Sequence, residues 1–115
     1  MKPSYASLWL VAGTLLASTP SASGQTITAL SVGNPTCGTW IENRRHRQRL
    51  TEDLEIWAAG YLSGAAMGTR EDLLAGFDIG AVFTWLDNNC RAHPDQSFTA
   101  SLNALVRERV GAARR

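Results

Sequence analysis

Two cysteines, one arginine-rich run and scattered single acids, serines and histidines are the residues of this chain able to do chemistry. Cys37 stands in the run GNPTCGTW, and Cys90 closes the run DIGAVFTWLDNNC. Five positive or potentially positive side chains fall within six residues at Arg44, Arg45, His46, Arg47 and Arg49. Such a run can hold phosphate or the acidic surface of a partner; it is equally a solvated helix start or loop, offset by Glu52, Asp53 and Glu55 just downstream. No catalytic cluster matches it. The chain has no G-x-S-x-G elbow, no H-E-x-x-H pair and no phosphate-binding glycine loop. Glu42 and Asp87 are two carboxylates whose spacing does not set them apart from solvated surface acids. His46 has no histidine or cysteine three or four residues away to complete a metal pair. The expectation is a protein without catalysis, cofactor or metal.

The start of the chain says where these residues work. Residues 1–24 carry Lys2, an apolar run from Leu8 to Ala17 and a small-residue tail, the three parts of a secretory leader. The apolar run is shorter than the roughly 20 residues that span a bilayer. Ala22 and Gly24 fit the small positions before a cut, which places cleavage ahead of Gln25 and the product in the periplasm or outside the cell. In an oxidising compartment two cysteines pair, so Cys37–Cys90 is expected as a disulfide; free thiols or a zinc site are the less fitting alternatives. Closing that loop is worth about 4 kcal/mol on the chain-entropy model. Of the eleven Lys and Arg, Lys2 lies in the leader, which leaves ten arginines against ten Asp and Glu. That balance speaks against nucleic acid as a partner, and no stable membrane span is expected.

The elements that must position these groups read as helices. Ile79, Val82, Phe83 and Leu86 recur at helical spacing with Cys90 on the same stripe, and Asp78 stands at the cap. Residues 25–35 read as a flexible lead-in, and Thr36–Asn43 as a short ordered piece whose Trp40 and Ile41 cover the core beside Cys37. Thr51 is placed to cap a helix running to about Met67, with Leu54, Trp57 or Ala58, Tyr61 and Ala65 facing inward and Leu62 beside them. Gly60 and Gly64 leave one side of that helix nearly bare. Two glycines in a helix imply a close approach, by another helix of this chain or by a ligand or partner chain, a second copy included. Thr69–Gly76 is expected to form one or two further turns capped by Thr69. Trp85 lies off the main stripe, as a second packing contact or a partner-binding residue. Asp95 or Ser97 caps a last helix bearing Phe98, Leu102, Leu105 and Val106, and residues 112–115 are expected to fray. No run alternates long enough for a strand, so the fold class is all-α, with one domain over residues 36–111.

One resemblance joins these features. Thr36 and Cys37, the Trp-x-x-Gly-Tyr pattern of Trp57, Gly60 and Tyr61, and Cys90 followed by His93 and Pro94 are similar to the layout of the small periplasmic HdeA and HdeB acid-stress proteins. The layout also resembles the Tai-type immunity proteins of bacterial type VI secretion. The resemblance spans roughly residues 36–106. It implies a four- or five-helix bundle with one disulfide that acts by binding proteins. The role is that of a chaperone holding unfolding clients, or of a dedicated immunity or assembly partner for one toxin or envelope protein. Arg44, Arg45, Arg47, Gly60, Gly64 and Trp85 are the candidate partner-binding residues.

Overall fold

The computed structural model describes residues 35–115, together with the isolated positions Pro3 and Gly13. The leader and the lead-in to residue 34 otherwise lie outside the described residues. Four helices follow in order: α1 (Cys37–His46), α2 (Leu50–Thr69), α3 (Ile79–Ala92) and α4 (Phe98–Ala113). The fold is all-α, a small four-helix bundle. α1 and α4 pack on each other at its centre, and α2 and α3 each pack on both.

The piece expected as short and ordered at Thr36–Asn43 is a helix that runs on to His46. Thr36 caps it, its Oγ1 accepting from the Thr39 amide at 3.1 Å. First-turn amides of a helix have no intrahelical carbonyl to use. Here the Cys37 and Gly38 amides donate to the carbonyls of Gln96 and Pro94, and the Phe98 amide donates back to Pro35, each at 2.9 Å. The strand-like bridge between Thr36 and Ser97 is part of the same lacing. Ser97, rather than Asp95, caps α4 through the Ala100 amide. The beginnings of the first and last helices are thus sewn together by main chain.

The disulfide forms as expected. Cys37 and Cys90 are bonded, with Cα atoms 4.7 Å apart and both residues fully buried. Around it close Trp40, Leu54, Ala58, Leu62, Val82, Leu86, Phe98, Leu102 and Leu105. The indole of Trp40 stacks on the Phe98 ring at 4.8 Å between centroids and meets Phe83 at 5.8 Å. Asp78 caps α3, its Oδ1 accepting from the Ala81 amide at 2.8 Å. The α3 stripe is buried at Val82, Leu86 and Cys90 but not at its first member: Ile79, in the first turn, stays half exposed.

Three local expectations are overturned. Thr51 does not cap α2, which begins one residue earlier and has no side-chain cap. Its hydroxyl is buried and donates to the Asn43 carbonyl at 2.7 Å, because the C-terminal carbonyls of α1 also need partners. Thr69 opens no helix; it is the last residue of α2, its Oγ1 bonded back to the Ala65 carbonyl. The segment that follows turns without helix, through left-handed Arg70 and Gly76. It is held instead by buried Leu73 and by Arg109 of α4, whose guanidinium donates to the Leu73 and Ala75 carbonyls and covers the Phe77 ring at 4.7 Å. Finally, among the described residues nothing packs on Gly60 or Gly64: a methyl group added at either would meet no atom within 4 Å beyond the backbone of its own helix. The inward side of α2 is taken by Leu54, Ala58 and Leu62, which turns the glycines outward. At the far end, α4 continues past Gly111 to Ala113, and Arg114 pairs with Glu71 at 2.9 Å.

Two stability measurements check this packing. Replacing both cysteines by serine should lower the unfolding free energy by about 4 kcal/mol; urea titration showing a loss below about 1 kcal/mol would contradict a disulfide that holds the core. Gly60→Ala, in dilute protein, should raise stability by up to about 1 kcal/mol, since the new methyl group meets open space and removes backbone freedom from the unfolded chain. A lowered thermal midpoint would show that something packs there after all.

Candidate functional site

α1 and α3 run antiparallel in a register set by the disulfide. Three residues on from Cys37, Trp40 lies opposite Asp87, three residues back from Cys90; four further on, Arg44 lies opposite Phe83. Burying Trp40 buries its indole N–H, which requires an acceptor. Asp87 Oδ1 supplies it at 2.8 Å. Arg44 answers the carboxylate with two bonds, Nε to Oδ1 at 3.2 Å and Nη2 to Oδ2 at 3.0 Å. Its remaining arm, Nη1, reaches Glu55 of α2 at 2.7 Å. The guanidinium also covers the Trp40 and Phe83 rings, each at 5.3 Å from the centroid.

One cation therefore joins three helices. The Asp87 hydrogen bonds hold the Arg44 guanidinium above the ordinary arginine range; burial opposes this and Glu55 adds to it. A raised basic group keeps its stabilising charge at every pH below that range and loses it only as pH rises through the raised value. Arg44 is consequently charged at neutral pH and in acid alike. Asp87, expected as a solvated surface acid, is instead the acceptor at the centre of this knot, and the arginine run is solvated only in part.

Beyond the knot, Arg44, Arg45, Arg47, Asp87, Arg91 and Ile41 line an open cleft of about 410 Å³. Arg45, Arg47 and Arg91 are exposed, and Arg91 donates to Asn88 at 2.6 Å. With Asp87 already engaged, the rim presents net positive charge to solvent. His46 pairs with Glu42 one turn back, at 3.3 Å. Among the described residues no group of three His, Cys, Asp or Glu side chains is placed to hold a metal ion.

The candidate residues thus separate into three places. Arg44, Arg45 and Arg47 share the cleft. Gly60 and Gly64 stand on the outer face of α2 between Ile56 and Met67, which are 66% and 81% exposed. Trp85 is half buried near α4 and donates its N–H to Glu108 at 2.9 Å. Sequence reading missed Arg91 and the role of Asp87. The signal was present once the disulfide was granted, because stepping from Cys37 to Trp40 to Arg44 and from Cys90 back to Asp87 to Phe83 aligns them. Among the described residues no helix is long and apolar enough to cross a membrane. Comparison with family models, with curated proteins and with solved structures finds no match.

The knot yields its own test. Asp87→Ala leaves the Trp40 N–H and the Arg44 charge without their acceptor and should cost about 2 kcal/mol. Asp87→Asn keeps an acceptor for the indole and should cost less. If Arg44→Met and Asp87→Ala prove additive in urea unfolding, their coupling is refuted.

Proposed function

We propose that the chain is an exported protein-binding protein that holds unfolding clients in acid, as its HdeA-like layout implies. The observation that supports this reading is the unequal fastening of the helices. α1 and α3 are joined covalently, whereas Arg44 joins α2 to both of them through carboxylates. Below the ordinary carboxylate range, about pH 4, carboxylates lose their charge while arginine keeps it. Over the exported residues the net charge then climbs from near zero to roughly +12, counting both histidines. The disulfide does not depend on charge, whereas Arg44 holds Glu55 and Asp87 as charge pairs. α2 is the helix this reading sets free, and with it the apolar surface of Leu54, Ala58 and Leu62 and the side of the Phe98 ring that Trp57 meets.

A second reading is favoured by the cleft. Three exposed arginines around a preformed cavity suit an acidic patch on one dedicated partner, as an immunity or assembly protein requires.

Light scattering of an acid-sensitive client separates the two. At about pH 3 the oxidised protein should bind a hydrophobic dye and suppress aggregation, and the form with Cys37→Ser and Cys90→Ser should do so poorly. No suppression at pH 3 or pH 7 removes the client-holding reading. Capture of a single partner from periplasmic extract at pH 7, lost on Arg45→Glu with Arg47→Glu, would then select the dedicated one.

A further inference from the structure

The cleft between α1 and α3 gathers more positive charge than its own acid uses. Asp87 is the one carboxylate among the residues that line it, and both of its oxygens are taken: Oδ1 by the Trp40 indole and Arg44 Nε, Oδ2 by Arg44 Nη2. Of the neighbouring acids, Glu42 pairs with His46 and Glu55 with Arg44. The Arg45 and Arg47 side chains have no partner among the described residues, and Arg91 has only the uncharged Asn88. Three guanidinium groups therefore share one cavity of about 410 Å³, and no side-chain carboxylate offsets their mutual repulsion.

Arg47 supplies a second observation. It follows the last residue of α1 in the left-handed conformation, with φ 44° and ψ 50°. Glycine is the usual residue at that position, because a Cβ is strained in this region of backbone space. An arginine there strains the chain where a glycine would not, and its exposed guanidinium makes no hydrogen bond or ion pair that holds the bundle together. Its side chain instead lines the cleft with those of Arg45 and Arg91.

The number of free arginines points to the ligand. In this same cleft one carboxylate is satisfied by one arginine, through the two bonds from Arg44 to Asp87. Three further arginines exceed what a second carboxylate can occupy. A phosphomonoester carries close to two negative charges at neutral pH and three terminal acceptor oxygens, enough to engage several guanidinium groups at once. Ile41, the apolar member of the lining, offers a surface to the carbon body that bears the phosphate. We propose that the cleft is a binding site for a phosphomonoester dianion, held by Arg45, Arg47 and Arg91 beside the fixed Arg44–Asp87 pair. A soluble phosphorylated metabolite and a lipid headgroup ending in phosphate share this chemistry. The site uses the cleft of the second reading without resting on it, since a client holder and a dedicated binder can each carry it.

Nuclear magnetic resonance titration of the oxidised protein with glycerol 3-phosphate at neutral pH tests the site, with the dicarboxylate succinate at equal ionic strength as the comparison. The Nε–H signals of Arg45, Arg47 and Arg91 should shift together and saturate, with a dissociation constant below about 1 mM and at least about fivefold below that of succinate. Arg47→Gly should raise that constant about tenfold while the thermal midpoint holds or rises, because glycine fits the left-handed backbone. Arg107→Gln, outside the cleft, should leave it unchanged. Vesicles of phosphatidylcholine mixed with phosphatidic acid separate the two sources. Vesicle binding that Arg47→Gly abolishes assigns a lipid headgroup, and binding of glycerol 3-phosphate without vesicle binding assigns a soluble phosphomonoester. Equal affinity for succinate overturns the proposal, as does binding indifferent to Arg47→Gly. A lowered thermal midpoint in Arg47→Gly overturns the assignment of Arg47 as a ligand and makes it a structural residue.

Discussion

The bond between Cys37 and Cys90 sets the relation on which the other interactions build. It joins the first residue of α1 to the last turn of α3 and so lays the two helices antiparallel in one register. That register carries Trp40 into the core against Phe98. A buried indole brings a donor with it, the donor needs Asp87, the carboxylate needs a cation, and the cation has an arm left over for Glu55. Each group answers the one before it. The result is a half-buried polar knot in which the ionised atoms are paired, the condition under which charge taken out of water is tolerated.

Irregular backbone is handled in the same way. The segments before α1 and α4 satisfy each other's free amides and carbonyls, so neither helix start depends on water alone. The link between α2 and α3 contains no helix, yet Leu73 is buried beneath it and Arg109 of α4 takes two of its carbonyls. α4 is therefore more than one wall of the core: it holds the start of α1 at one end and the α2–α3 link at the other.

Two kinds of fastening with different sensitivities result. The disulfide answers to reduction, whereas the Arg44 knot answers to the charge on its carboxylates. A small domain with limited buried surface draws much of its stability from such ties. The surfaces divide as well: positive charge gathers around the cleft between α1 and α3, and uncovered apolar surface gathers on the outside of α2.

What the sequence determined by itself was what depends on neighbours along the chain. The spacing of Val82, Leu86 and Cys90, the cap at Asp78, the breaks at Gly76 and Pro94 and the pairing of the chain's two cysteines all follow from local pattern and composition. The all-α class came with them. Tertiary structure decided whatever depends on which groups compete for a partner. Thr51 has the chemistry of a cap, but the unsatisfied Asn43 carbonyl lies within its reach, and sequence distance does not show that. Asp87 reads as a surface acid until the disulfide register sets Trp40 and Arg44 across from it. The glycines were the hardest case, because a bare stripe marks a close approach without saying whose. Only the placement of Leu54, Ala58 and Leu62 in the core shows that Gly60 and Gly64 face away from the bundle of described helices, since one helix cannot turn both sides inward.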